Sequence, residues 1–170
     1  MPLSLSGLNS ADRVAFTAAL GHLFEHSPWV AEETWAKRPF ASAEELHAAL
    51  CATMQSAPQG RQLALMRAHP DLAGRLAQQK KLTAESTREQ ASAGLDQLTD
   101  AELAEFTRNN DTYKAKFGFP FIICARLNAK AAILAAMSAR LPNAPTAEHA
   151  AALAEIEKIA WLRLGDILKA

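Results

Sequence analysis

Three side chains stand where they could do proton or anion chemistry. His69 precedes Pro70, and a residue before proline is pushed out of helical geometry, so the imidazole is expected at a junction between helices, where it can point into a cleft. A helix starting just after it would disfavour imidazolium and leave a neutral ring able to act as a base near pH 7. A histidine bonded to a nearby carbonyl at a helix break fits the same residues. Glu89 closes the run Ser86-Thr87-Arg88-Glu89, which fits a capping box whose carboxylate merely bonds backbone at a helix start. It equally fits a carboxylate that faces His69 across a pocket and accepts N–H groups of a ligand. Arg126 follows FPFIICA, and an arginine about one turn into an apolar helix needs a partner or an opening to water. Glu89 is one candidate partner. A carboxylate, a guanidinium and an imidazole around an apolar wall suit a small polar anionic ligand.

Other constellations are weaker. HLFEH, residues 22–26, matches H-x-x-E-H, a zinc-peptidase pattern with both histidines on one helical face. Ser27-Pro28 would end that helix, which puts His26 at a C-terminus where a cation is favoured, and no third ligand is marked out. No metal is expected. Cys124 could be a nucleophile, but it lies among Phe, Ile and Ala, where burial raises a thiol's pKa and cysteine serves as a small core residue. Tyr113 and Trp161 sit on helical patterns that core packing explains.

The elements that must position these residues read as helices. About one residue in five is alanine, the best helix former, and Val14 and Val30 are the only valines. A first helix is predicted from Asn9 or Ser10 through Val14, Phe16, Leu20, Leu23 and Phe24. A short second one carries Trp29, Val30 and Trp35 up to Arg38-Pro39. Ser42 with Glu45 is a capping-box pattern opening a third, through Leu46, Leu50 and Met54, broken at Pro58-Gln59-Gly60. Leu63, Leu65 and Met66 lead to the His69-Pro70 break, and Leu72 and Leu76 continue beyond. Residues 83–93 form a helix closed by Gly94, and Thr99 with Glu102 opens one reaching Phe117 and Gly118. Residues 119–124 could be a short buried strand, but the helical composition up to Leu141 and a proline suited to a first turn favour helix. A last helix starts near Thr146 and carries Leu153, Ile156, Ala160 and Ile167. The expectation is an all-α fold of about eight helices with short connections.

Composition bounds the rest. The chain has 170 residues, 49% hydrophobic, which predicts a single domain over residues 1–170. Eighteen basic and eighteen acidic residues balance, so no global field recruits nucleic acid or anionic membrane. Two cysteines make no disulfide framework. No apolar run approaches the roughly 18 residues of a membrane span. The N-terminal residues do not read as a secretory signal, nor ILKA as a peroxisomal address, so a cytoplasmic protein is expected.

Several motifs together resemble one family. HPDLAG at 69–74, STREQ at 86–90, AGLDQL at 93–98 and KFGFPFIICAR at 116–126 are similar to the OHCU decarboxylases, which act on 2-oxo-4-hydroxy-4-carboxy-5-ureidoimidazoline downstream of urate oxidation. The likeness runs on through SPWVAE, the W-x-x-R-P-F of Trp35 to Phe40 and the E-I-x-x-I-A-x-x-R of Glu155 to Arg163, and so covers nearly the whole chain. It implies an all-helical, cofactor-free enzyme that yields (S)-allantoin and CO2, and a homodimer. It implies His69 as acid/base, with Pro70 beside the ligand. Ser86, Thr87, Arg88, Glu89 and Gln90 would contact ureido and ring groups, with Glu89 also catalytic. Phe119, Phe121, Ile122, Ile123, Cys124 and Ala125 would form the pocket wall, with Arg126 at its anion-binding end.

The implied chemistry needs no cofactor, because the carbon losing CO2 neighbours a C=N carbon that accepts the electron pair. Other decarboxylations borrow such a sink, for example from PLP. The competing readings are a helical binding or interaction module without catalysis, and the HLFEH zinc hydrolase.

Overall fold

A computed structural model describes residues 3–74, 77 and 79–169. Backbone contacts divide the chain into two compact units, one running to Ala68 and joined by residues from Glu157 on, the other His69–Ile156. Among the described residues there are helices and no strand, as the alanine excess predicts.

In the first unit, α1 (Leu5–Ser10) and α2 (Arg13–Leu20) replace the single helix expected there. Asp12 causes the break: its side chain caps α2 by accepting the Ala15 N–H at 2.8 Å. Because α2 ends at Leu20, residues 22–26 are not helical, and the shared face that H-x-x-E-H requires does not form. His26 has a left-handed φ of 46° instead of capping a helix end. Leu23 and Phe24 are buried all the same. Helix α3 (Trp29–Thr34) continues into a 3-10 turn, Trp35–Lys37, that ends before a cis Arg38-Pro39 bond. Helix α4 (Ala43–Ser56) opens on Ser42 as expected and buries Leu46, Leu50 and Met54. Helix α5 (Gln59–Ala68) follows.

The second unit contains α6 (Ala84–Ser92), α7 (Asp100–Phe117) and α8 (Lys130–Arg140). Helix α9 (Pro145–Lys169) belongs to this unit as far as Ile156. The Thr99–Glu102 capping box is complete, and α7 ends at Gly118, whose φ of 79° needs a residue without Cβ.

Two expectations fail here. The predicted helix through residues 119–124 is absent: the stretch is extended and irregular, and a 3-10 turn, Ala125–Leu127, precedes α8. Residues 70–74 form a turn, so no helix starts beside His69. The nearest helix end along the chain is the C-terminus of α5, of opposite polarity, which removes the electrostatic reason given for a neutral ring. Leu76 lies outside the described residues.

Candidate active site

The site is built on α6. Its N-cap is Thr83, whose hydroxyl accepts the Ser86 N–H at 3.2 Å. Ser86 is therefore inside the helix rather than at its cap, and Glu89 lies in the second turn, beyond reach of the orphan N–H groups at the start. The capping explanation of Glu89 falls with that register. Helical spacing puts Ser86, Glu89 and Gln90 on one face; Ser86 and Gln90 are buried and Glu89 is half-buried. Thr87 and Arg88 take the exposed face, where the Thr87 hydroxyl donates to Thr83 O and Arg88 lies 3.8 Å from Glu85.

The turn carrying His69 docks on that inner face through Gln90. The Gln90 side-chain oxygen accepts the Ala73 N–H at 2.9 Å, and its amide donates to Asp71 O at 3.3 Å. Helix α7 grips the same turn: Asn110 donates to Leu72 O at 2.8 Å, and Lys114 pairs with Asp71 at 2.6 Å. The turn is tight. Ala73 sits at φ 51°, an uncommon region for alanine, and a Cβ on Gly74 would come within 2.5 Å of the Asp71 Cβ. His69 is buried at the head of this braced segment, with Pro70 half-buried beside it.

The third component is the wall. Phe119, Phe121, Ile122, Ile123, Cys124 and Ala125 are all buried. An extended segment without a sheet must find other partners for its backbone. Arg140 donates to Ile122 O at 2.8 Å with its guanidinium 4.4 Å from the Phe121 ring centre, and Glu155 accepts the Cys124 N–H at 2.8 Å. Arg140 is itself fixed by Glu148, a fully buried carboxylate that also accepts from Asn143 and from the Tyr113 hydroxyl. Tyr113 turns its ring edge to Phe119 and Phe121. Burial pushes the Glu148 carboxyl up, but hydrogen bonds from Arg140, Tyr113 and Asn143 outweigh it and leave it below the usual carboxylate range.

Wall and helix meet. The Ala125–Leu127 turn packs against α6, and the Lys130 N–H donates to Ala93 O at 3.0 Å. Burial raises the Cys124 thiol, and the negative charges of Glu155 and Glu89 raise it further, so this sulfur is a poor nucleophile. Arg126 sits exposed on the 3-10 turn, not inside an apolar helix, which relieves the desolvation penalty expected for it.

The structure thus gathers the His69 turn, the Ser86–Glu89–Gln90 face and the wall ending in Arg126, while Thr87 and Arg88 look away. The chemistry of such a set suits a small planar polar molecule: a carboxylate can accept N–H groups, a guanidinium can attract an anion, and His69 is buried at the head of the turn that docks on the same helix. Asn110, Arg140 and Glu155 brace it through backbone far away in sequence, Lys114 through the Asp71 side chain and Glu148 through Arg140, and no local pattern flags them. Only Glu155 falls inside a motif, E-I-x-x-I-A-x-x-R. In the first unit, Glu25 of HLFEH is committed to a buried pair with Arg163 at 3.2 Å, and His26 is exposed. Among the described residues no cluster of His, Cys, Asp and Glu is arranged to hold a metal ion. Nor is any described helix long and apolar enough to cross a membrane.

Comparison with known proteins agrees with this architecture. The chain is 44% identical over 165 residues to an OHCU decarboxylase of Halalkalicoccus jeotgali, covering 97% of this chain and 92% of that one. It is 40% identical to the Mus musculus OHCU decarboxylase, covering 96% and 92%. Among solved structures, a crystal structure of (S)-allantoin synthase superposes with a TM-score of 0.77 at 32% identity, covering 98% of this chain and 54% of that one, so this chain spans about half its length. An OHCU decarboxylase crystallised in the presence of (S)-allantoin shares the fold, with a TM-score of 0.71 at 23% identity, covering 94% of this chain and all of that one. The profile of the family, described as OHCU decarboxylase, matches residues 9–165, which takes in the His69 turn, α6 and the wall together. With full-length likeness and all three parts of the site inside the match, the chain belongs to the OHCU decarboxylase family.

Proposed function

We propose that this protein decarboxylates OHCU to (S)-allantoin and CO2 in the breakdown of urate, as a cofactor-independent carboxy-lyase. The observation that carries this reading is the register of α6, which places Glu89 in the second turn, past the capping positions, on the same helix face as the Gln90 that holds the His69 turn.

The chemistry follows from the substrate. The bond from the ring carbon to its carboxylate breaks as CO2 leaves, and the electron pair moves toward the adjacent C=N, whose nitrogen takes up a proton. That gives an enol-like planar intermediate. Loss of the hydroxyl proton and delivery of a proton to one face of the carbon bearing the ureido group then give a single enantiomer. His69 is the group to accept the hydroxyl proton and return one to carbon. Glu89 orients the ureido N–H groups, and Arg126 holds the carboxylate so that its C–C bond aligns with the π-system. Ser86 and Gln90 line the same face of α6, with the Gln90 amide already committed to the His69 turn. Pro70 and residues 119–125 supply the surrounding surface, while Thr87 and Arg88, on the exposed face of α6, stand apart from it. On this reading residues 1–170 act as one domain, as a cytoplasmic homodimer, and the resemblance to the family supports each of these.

The test is to generate OHCU freshly, add the protein and follow the handedness of the allantoin by circular dichroism. Spontaneous decay gives racemate, so the expected result is a growing (S)-allantoin signal proportional to protein concentration. Racemic product at every concentration would exclude the activity and leave the non-catalytic binding module.

A further inference from the structure

We propose that Glu155 is a positioning residue for the proposed decarboxylation, acting through the backbone of Cys124 to set Arg126; the inference rests on that reading of the site. Cys124 is the fixed point of the turn that carries Arg126. Its carbonyl accepts the Leu127 N–H at 3.1 Å and the Asn128 side-chain amide at 3.0 Å. Its N–H is held from the other side by Glu155, at 2.8 Å. The two peptide groups flanking Cys124 thus tie the end of the wall to α9 and to the turn, and Arg126 lies two residues later.

The wall gives Glu155 this leverage. Residues 119–124 form neither helix nor strand, so no ladder fixes their path. Two side chains hold the backbone there, Arg140 on the Ile122 carbonyl and Glu155 on the Cys124 N–H. Arg140 is in turn held by Glu148. Glu148 and Glu155 lie seven residues apart on α9, about two turns, and so share one face of that helix. The first secures the wall at its aromatic end and the second at the end that bears Arg126. Glu155 is close enough to the Cys124 thiol to raise it, together with Glu89 on α6.

The assignment separates hydrogen bonding from charge. Glutamine at this position keeps a side-chain oxygen able to accept the Cys124 N–H, aspartate keeps the charge but withdraws it by one methylene, and alanine keeps neither. A misplacement near 1 Å can cost about a hundredfold in rate, so Glu155→Asp and Glu155→Ala are expected to lower kcat by about ten- to a hundredfold. KM should move less, because Glu89 and the aromatic end of the wall, which Arg140 holds separately, are untouched. Glu155→Gln should recover most of the wild-type kcat.

Each variant is assayed with freshly generated OHCU beside the wild type, and its thermal melting is recorded. Should the alanine variant fail to fold, the aspartate and glutamine variants decide the matter. A folded Glu155→Asp protein with wild-type kcat would overturn the proposal. So would a Glu155→Gln protein as slow as Glu155→Asp, since charge would then be what counts. A wild type that gives only racemic allantoin defeats the function itself, whereas an active wild type with indifferent Glu155 variants defeats this inference alone.

Discussion

The starts of α6 and α7 carry the same short pattern and use it in opposite ways. Thr99 and Glu102 lie three residues apart, as do Ser86 and Glu89. At α7 the pattern coincides with the helix start: the Thr99 hydroxyl accepts the Glu102 N–H, and the Glu102 carboxylate accepts the Thr99 N–H at 2.9 Å. That carboxylate is spent on the backbone and on Lys130, 2.8 Å away. At α6 the helix begins three residues earlier, on Thr83, and the second hydroxyl–carboxylate pair is carried into the helix body. A carboxylate there has no orphan N–H groups to satisfy and can serve a pocket. What decides whether such a glutamate caps its helix is its register relative to the helix start, not the motif.

The comparison predicts that loss of the Glu89 carboxylate appears in turnover and loss of the Glu102 carboxylate in stability. The largest effect belongs to the turn docked on α6. His69→Asn should lower stereospecific turnover by about 10²–10⁴-fold, the usual worth of general acid–base catalysis, with an unchanged melting midpoint. A folded asparagine variant with the wild-type rate would remove His69 from the mechanism. Glu89→Gln keeps the shape but loses the charge-assisted bonds to the ureido group, worth about 1.5–3 kcal/mol or roughly ten- to a hundredfold in rate. Lost stability with normal turnover per folded molecule would instead return Glu89 to a backbone role and erase the contrast.

Smaller effects sharpen the register. Thr83→Ala and Thr99→Ala should each lower stability by about 1 kcal/mol, measured by denaturant unfolding, because each removes the hydroxyl that caps its helix. A harmless Thr83→Ala would mean that α6 starts elsewhere. The smallest effect is at Glu102. The hydrogen bond from Lys130, with that from the Thr99 backbone, holds its carboxyl below the ordinary value of 4.5. Its contribution is therefore present above that value and is lost as pH falls through the lowered one. Glu102→Gln should flatten this acid limb of the stability profile while leaving turnover per folded molecule unchanged.

Much of the helical frame was legible because its signals are local. Ser42 and Thr99 cap where their spacing says they should, and Gly94 and Gly118 end their helices with left-handed φ values of 81° and 79°. The resemblance picks out His69, Glu89 and Arg126, and the structure gathers the segments that carry them; their roles stay with the proposal. Their bracing was not legible. Gln90 on the 71–73 backbone, Asn110 on Leu72 and Glu155 on Cys124 link residues 17, 38 and 31 apart, distances over which sequence pattern carries no signal. The split between α1 and α2 was readable in principle, since Asp12 is a good N-cap, but apolar periodicity ran across it. Residues 119–124 misled for a physical reason: apolar composition with a leading proline suits a helix, and only distant side chains make an extended path affordable for the backbone.

That path has an evolutionary consequence. Arg140 and Glu155 hold the wall by peptide groups, and a peptide group is the same whichever residue bears it. Substitution among apolar residues at 122–124 can therefore alter the contour offered to a substrate ring while the anchors on the chain stay in place. The scaffold and the specificity of the pocket are written in different residues, so a lineage, or an engineer, can revise one without dismantling the other.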